Sequence, residues 1–266
     1  MSTEQEENAP RTGVGSYIYG IVPVGTRIPD DLAPLPQEGD PGIGLVVSGD
    51  LAAVVSDIST DRPLGTRKDL MAHEQVLNAI AQDTPVLPMR FGAVVTDDDA
   101  VADELLTPHQ DYFVRALEQM KGLTEFLLRG DYDQTAVLTR IVEDNPEIQR
   151  LREQIAGLDE DASYYDRIKL GEAISNSMDR LRQQDADATL DALERFAEAT
   201  VVKVPGGENG AVHVAFLVRT DHRSDFERAV DELGDAWSGR VNLRLIGPTA
   251  AFDFLPEYEA PDQDEG

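Results

Sequence analysis

The sequence of 266 residues contains no cysteine, which excludes a disulfide framework, a thiolate nucleophile and a cysteine-built zinc site. Cationic residues are scarce: 23 Lys and Arg stand against 51 Asp and Glu, so the formal net charge is -28. Nucleic acid and anionic membranes are recognised by basic surfaces, so neither is an expected partner. There is no apolar run long enough to span a membrane, and the polar N-terminus does not resemble a secretory signal. We therefore expect a soluble, intracellular protein.

Lysine is the scarcest of the cationic residues. Only four of the 23 basic residues are Lys, and the other 19 are Arg. Short carboxylates hold water and hydrated cations, and molar salt screens their mutual repulsion. This composition favours the cytoplasm of a salt-accumulating microbe, with an ordinary acidic protein as the alternative.

Hydrophobic residues make up 41% of the chain, which is enough for a packed core.

The chain divides into two α+β patterns between acidic ends. Residues 1–15 and 256–266 lack hydrophobic periodicity and are predicted to be disordered acidic tails. We place a domain boundary near residue 121, so that the predicted domains are 16–121 and 122–255.

The first pattern opens with a predicted strand at Tyr17–Val22. Two short apolar runs, Leu45–Val47 and Leu51–Val55, flank Ser-Gly-Asp and predict a hairpin. A capping box at Thr66 predicts a helix start. The apolar stripe of that helix is predicted to comprise Leu70, His73, Leu77 and Ile80.

The rest of the first pattern combines an irregular strand with helices. Pro85–Val95 is apolar and contains Pro88, which is typical of an edge or irregular strand. Asp97–Leu106 and Pro108–Met120 are predicted helices, with Thr107 capping the second.

The second pattern begins with a predicted strand at Leu123–Arg129, followed by a long helical block. Two further strands are predicted at Thr200–Val204 and Val212–Val218. A capping box at Ser224 predicts a helix whose inward face would be Phe226, Val230, Leu233 and Trp237. Val241–Ile246 alternates as a strand does. This closing strand–helix–strand unit fits two-layer packing of the ferredoxin-like kind.

Motifs for catalysis, metals and cofactors fail on spacing. His73-Glu74 begins like a zinc-binding H-E-x-x-H, but Leu77 occupies the second histidine position. Asp97–Asp99 is better explained as helix N-terminal charge than as a calcium loop. The glycine-rich stretches lack phosphate-binding patterns, and there is no nucleophile elbow. We therefore expect no enzyme activity, no metal and no cofactor.

Apolar residues occur in two unexpected places. Pro85–Val95 holds a single charge, Arg90, and Gly247–Leu255 places three large apolar residues just before the acidic end. One interpretation is a buried closing strand. The other is an apolar edge that captures another chain.

Three stretches in order resemble the gas vesicle protein F/L family (GvpF/GvpL). YIYGIVPV at Tyr17–Val24 resembles the opening strand of the family, and VLPMRFGAVV at Val86–Val95 resembles its V-L-P-x-R-F-G segment, with His73 upstream. GPTAAFDF at Gly247–Phe254 resembles the terminal G-P-W-P-P-Y-x-F, but Thr-Ala-Ala-Phe replaces the aromatic–proline core. The likeness spans about residues 16 to 255.

This resemblance implies a non-enzymatic accessory protein of gas vesicle assembly. It implies two α+β domains: an N-terminal ferredoxin-like α/β sandwich and a C-terminal α+β domain with a helical insertion. The implied partner is the small hydrophobic shell protein GvpA, together with other accessory gas vesicle proteins, in the cytoplasm and at the gas vesicle. The acidic composition points to a haloarchaeal type.

The contact residues are a hypothesis that the resemblance does not supply. We assign partner binding to both apolar stretches, through Leu87, Met89, Arg90, Phe91, Phe252, Phe254 and Leu255. The alternative function is a small-molecule-binding regulatory protein, because paired ferredoxin-like domains bind ligands where they meet.

Overall fold

The computed structural model describes residues 13–39 and 41–256. Nine strands and seven α-helices are present in this part of the chain. The first elements are β1 (Val14–Pro23), β2 (Gly44–Ser48), β3 (Leu51–Ser59), α1 (Arg67–Ala81), β4 (Leu87–Pro88), β5 (Val94–Val95), α2 (Asp98–Ala100) and α3 (Gln110–Met120). A π-helical turn, Val101–Leu106, continues α2.

The remaining elements run from the middle of the chain to its end. They are β6 (Leu123–Tyr132), α4 (Gln134–Asp144), α5 (Pro146–Ile155), α6 (Glu160–Leu193), β7 (Ala199–Val202), β8 (Gly210–Arg219), α7 (Arg223–Ala236) and β9 (Val241–Thr249). Single 3-10 turns follow α6 and precede α7.

The first sheet has the strand order β2-β3-β1-β4, and β5 pairs with β1 further along the same strand. All of these pairings are antiparallel. The predicted hairpin is confirmed, since Ser48 pairs with Leu51 across the Gly-Asp turn. Pro88 pairs opposite Gly20 in an edge strand of two residues, as expected for a proline that cannot donate to a ladder.

The second sheet has the order β7-β8-β6-β9. A helix-containing crossover leads from β6 to β7 and another from β8 to β9, and each spans one intervening strand. This is the split βαβ arrangement of ferredoxin-like folds. We predict this packing from the residues of the closing strand–helix–strand unit, and the resemblance implies it for the N-terminal half. There, the same strand order occurs, but the described residues between β1 and β2, 24–39 and 41–43, contain no helix.

The described residues form two compact units: one comprises those up to residue 125 and from 248 onward, and the other comprises residues 126–247. In the first, Tyr17, Val54 and Leu77 belong to a core that also contains Ala250. In the second, Phe126, Phe216 and Phe226 form the centre of a larger core. The predicted second domain extends to residue 255, whereas the structure groups residues 248–255 with the first unit because Ala250 packs in that core.

The helix N-termini were predicted with mixed success. Thr66 caps α1 through the expected box with Asp69, and Asp97 accepts a hydrogen bond from Ala100 N at 2.8 Å. Thr107 does not cap α3, because it follows the last residue of the π turn, Leu106, and α3 starts only at Gln110. The box predicted at Ser224 is wrong as well: α7 already begins at Arg223, continuing from a 3-10 turn.

Two predicted placements also need correction. Leu70 is 42% exposed, because the buried stripe of α1 runs through Asp69, Ala72 and Val76 instead. The predicted N-terminal tail ends too late, since Val14 and Gly15 pair with β3. Residues 1–12 and 257–266 lie outside the described residues. By contrast, the predicted inward face of α7 is confirmed, as its four residues are all buried.

Candidate functional site

Three polar aromatic side chains meet in the core of the first unit, and we call them the tyrosine–histidine cluster: Tyr17, Tyr19 and His73. The two tyrosines lie at alternate positions of β1 and therefore point to the same face of the sheet. The Tyr17 hydroxyl lies 2.8 Å from His73 Nδ1, and the His73 ring stacks on Tyr19 with 5.8 Å between centroids. Each of the three is at most 3% exposed.

The cluster holds the irregular edge of the sheet. His73 also hydrogen-bonds the backbone of Met89, and Met89 N donates to Tyr19 O at 2.8 Å. Gly92 N donates to the Tyr17 hydroxyl at 3.3 Å, and the Phe91 ring lies edge-on to His73 with 5.7 Å between centroids. The turn between β4 and β5 is thus fixed to β1 and α1 by side chains where the ladder is interrupted.

The Tyr19 hydroxyl fixes a second irregular segment. It lies 3.0 Å from Ser56 Oγ on β3 and accepts a hydrogen bond from Leu35 N at 2.9 Å. Gln37 adds a second tie, because its amide donates to Asp57 O and accepts from Ser59 N. The segment between β1 and β2 is therefore anchored to the sheet, and its residue Leu35 is buried in the core of the first unit.

Burial sets the protonation of the cluster. Desolvation raises the pKa of Tyr17 to about 12 and also raises that of Tyr19. Desolvation lowers the pKa of His73, against the opposing effect of its bond to Met89. At neutral pH the cluster consists of uncharged groups joined by hydrogen bonds, which is an arrangement suited to fixing structure.

The seven predicted contact residues occupy different environments. Leu87 is only 4% exposed, so its side chain faces the core of the first unit. Met89 and Phe91 are half-buried, while the Arg90 side chain between them is exposed. Phe91 packs against the cluster, so its ring has a structural partner.

The C-terminal stretch is anchored by its backbone and exposes two of its apolar side chains. Ala250 N donates to Asn78 Oδ1 at 3.0 Å, and Asp253 N donates to Glu125 Oε2 at 2.9 Å. Phe252 and Leu255 are 36% and 42% exposed, and Phe254 is half-buried. Ala250 and Ala251 thus close the core, while Phe252 and Leu255 face outward.

Sequence reasoning placed His73 in the core but did not predict its two tyrosine partners. The signal that could have found them is the Tyr-x-Tyr alternation of β1, which puts both rings on one face.

Among the described residues, no group of three or more His, Asp or Glu is placed to hold a metal ion. No helix in that part of the chain has the length and apolarity needed to cross a membrane.

The fold is an α+β protein with two antiparallel sheets. In the first sheet, the tyrosine–histidine cluster fixes the turn between the edge strands β4 and β5. The sequence profile of the family described as gas vesicle synthesis protein GvpL/GvpF matches residues 15–256. The chain therefore belongs to the GvpL/GvpF family. This is a family of gas vesicle accessory proteins and is not known as an enzyme family.

Relatives with assigned names agree. Gas vesicle protein F of Streptomyces sp. (strain CB03234) is 34% identical over 248 residues, covering 91% of this chain and all of the relative. Gas vesicle protein F of the haloarchaeon Haloferax mediterranei is 24% identical, covering 94% of this chain and 97% of the relative. The crystal structure of GvpF from Anabaena sp. PCC7120 superposes with a TM-score of 0.73 at 23% identity, over 92% of this chain and 99% of that one. That likeness shows the shared fold.

The family motifs now have a structural explanation. The first supplies both tyrosines of the cluster, and the second supplies the edge segment that they bind. The third ends in the core through Ala250. The three stretches that carry the resemblance therefore pack together in one unit.

Proposed function

We propose that this protein is a gas vesicle assembly factor that binds the small hydrophobic shell protein GvpA, and other accessory proteins, and keeps shell subunits from aggregating. Membership of the GvpL/GvpF family over residues 15–256 is the observation that carries the proposal. A shell subunit that excludes water from a gas space must be strongly apolar, and molar salt strengthens hydrophobic association. A highly charged body with a local apolar contact would keep such subunits soluble.

The outward-facing part of the C-terminal stretch is our candidate for that contact. Phe252 and Leu255 are exposed although the adjoining backbone is fixed by the hydrogen bonds that it donates to Asn78 and Glu125. Apolar side chains on a fixed backbone lose little conformational freedom on binding. Met89 and Arg90, in the turn between β4 and β5, are further candidate contact residues, whereas Leu87 is buried.

A capture experiment tests the binding proposal. Purified protein carrying Phe252→Asp and Leu255→Asp is compared with wild type for capture of the shell protein in molar KCl. We expect a loss of capture of about tenfold or more, as for a central apolar anchor. Val24→Asp is the matched control, since Val24 is an exposed apolar residue of the same unit at 46%. Equal capture by the double variant and wild type would reject these contact residues.

The assembly role has a separate test. Light scattering of the shell protein in molar KCl should rise more slowly when this protein is present. Deletion of the gene, followed by electron microscopy, should abolish gas vesicles. Cells that assemble normal vesicles after the deletion would contradict the role itself.

Phe91→Asp is a poor variant for testing the contact residues. Phe91 packs against His73, so the substitution would disturb folding as well as binding.

The alternative, a small-molecule-binding regulatory protein, gains no specific support. Three open cavities in the described part of the second unit measure about 250, 310 and 270 Å³. Ligand pockets commonly measure roughly 300 to 1,000 Å³. These cavities therefore lie at or below the lower end of that range.

A further inference from the structure

The strand β7 forms one edge of the second sheet. It pairs with β8 from Ala199 opposite Leu217 to Val202 opposite Val214, and the described residues provide no strand on its other side. The backbone remains extended past the strand, since Lys203 N donates to His213 O at 2.8 Å. An uncovered edge strand offers unpaired backbone groups to any further strand.

This edge exposes two valines. Val202 is 52% exposed and Val204 is 89% exposed, the largest value among the exposed large hydrophobic residues of the described chain. Their spacing of two places both side chains on one face of an extended segment. Val202 is about as exposed as Val47 on the edge strand β2, so the exposure of Val204 is what distinguishes this edge.

The hairpin that carries Val204 is held in place. The Arg182 guanidinium, from α6, donates to Gly210 O at 2.9 Å and to Glu208 O at 2.8 Å. From the other side, Tyr132 N donates to Asn209 O at 2.8 Å. The turn next to the exposed valines is therefore ordered before a partner binds. Binding at this edge would remove little further conformational entropy from the chain.

Val204 contributes to the lining of two cavities. One, of about 310 Å³, includes Arg129 and Asp131 in its lining. The other, of about 270 Å³, includes Arg182, Lys203 and Asp179. The two linings thus contain three cations and two carboxylates, in a chain with a net charge of -28. This charge balance favours a neutral or mildly acidic occupant and disfavours a basic one.

We propose that the β7 edge is a second docking surface, which takes an extended apolar segment of the shell protein as an added strand. The inference rests on the proposed function and supplies a contact distinct from Phe252 and Leu255. Backbone hydrogen bonds along β7 would give affinity, and apolar side chains at alternate positions would pack against Val202 and Val204. A second copy of this chain fits less well, because antiparallel self-pairing about Lys203 would place two lysines opposite each other.

Site-specific crosslinking tests the docking surface. Since the chain has no cysteine, Val204→Cys introduces one thiol, to which a photoreactive maleimide is attached. Val47→Cys is the matched control, because Val47 is a 54% exposed valine on β2, the edge strand of the first sheet. With the shell protein co-expressed in molar KCl, we expect a crosslink to the shell protein from position 204 and none from position 47.

Binding measurements complete the test. Val204→Glu should weaken capture of the shell protein about tenfold, and Val47→Glu should leave it unchanged, with circular dichroism confirming that both variants are folded. Equal capture by Val204→Glu and wild type, or crosslinks only between two copies of this chain, would overturn the β7 assignment. Failure of wild-type protein to capture any shell protein would instead reject the proposed function on which the assignment rests.

Discussion

In the first unit a loop, residues 24–43, connects β1 to β2, whereas in the second unit three helices, α4 to α6, make the equivalent connection from β6 to β7. The strand order is otherwise the same in both sheets. The loop cannot cover the sheet with a helix face, so it is anchored by the Tyr19 hydroxyl and by Gln37. The second unit instead covers its sheet with side chains of α6 and α7.

The units also differ in charge and in their buried polar groups. The first contains 27 carboxylates against 8 basic residues, and the second 24 against 15. The first contains the neutral cluster around His73 and also an ion pair between Arg62 and Asp69, whose carboxylate is fully buried. The second contains a partly buried ion pair between Asp185 and Arg240, 2.6 Å apart, to which the Tyr132 hydroxyl also donates at 2.6 Å. The first unit should therefore respond more strongly to salt, and its neutral cluster should add a dependence on pH.

Salt should separate the two units most strongly. Like charges repel in dilute buffer and are screened in molar KCl, so we expect the melting temperature to rise on the order of 10 °C from dilute buffer to 2 M KCl, equivalent to about 3 kcal/mol. The single tryptophan, Trp237, is buried in the second unit and reports on that unit alone. Circular dichroism should therefore show a larger salt dependence than tryptophan fluorescence. Full stability in dilute buffer would contradict the interpretation of the acidic surface as adaptation to salt.

Loss of the ion pair should destabilise the second unit. Arg240→Leu leaves the Asp185 carboxylate, 6% exposed, without its cation, and removing one member of a buried pair costs about 3 kcal/mol. Urea unfolding followed by circular dichroism measures the change. Arg219→Leu is the control, because Arg219 pairs with Asp221 at the surface, where solvent screens ion pairs and they contribute little to stability. Equal effects of the two variants would show that the buried pair has no special role.

Loss of the Tyr19 hydroxyl should loosen the first unit. Tyr19→Phe leaves Leu35 N and Ser56 Oγ without this partner, at a cost of about 2 kcal/mol for unsatisfied buried groups. Tyr165→Phe is the matched control, since Tyr165 is 77% exposed. Hydrogen exchange should increase in residues 24–43 for Tyr19→Phe alone. Unchanged exchange there would mean that the loop is held by other contacts.

Local pattern predicted most of the elements, because hairpin turns, helix stripes and proline at an edge act within a few residues. The prediction failed where distant packing decides. Leu70 follows the periodicity of α1 yet is exposed, because Asp69 and Val76 face the core instead. Local pattern also could not predict where the second unit ends, because Ala250 packs in a core built from residues more than 150 positions earlier.

The candidate site was predicted only in outline. The apolar composition of Val86–Val95 marked the segment but not the role of each residue, because composition does not show that Leu87 faces inward while Arg90 faces outward. Val204 was assigned to a strand, and its exposure depends on the turn that Arg182 fixes from a helix about 20 residues earlier. Such long-range hydrogen bonds leave no periodic signal in the sequence.

The smallest expected effect is a pH dependence confined to the first unit. Burial lowers the pKa of His73 below its unfolded value of about 6.5, so the stability that the neutral ring contributes is present above that pH and is lost as the pH falls. Below pH 6.5, wild type should lose at most about 1.4 kcal/mol per pH unit more than His73→Gln does. His222→Gln, at an exposed histidine of the second unit, should follow wild type. Parallel pH profiles for wild type and His73→Gln would show that the cluster tolerates a charged ring and would contradict the pH dependence expected for the first unit.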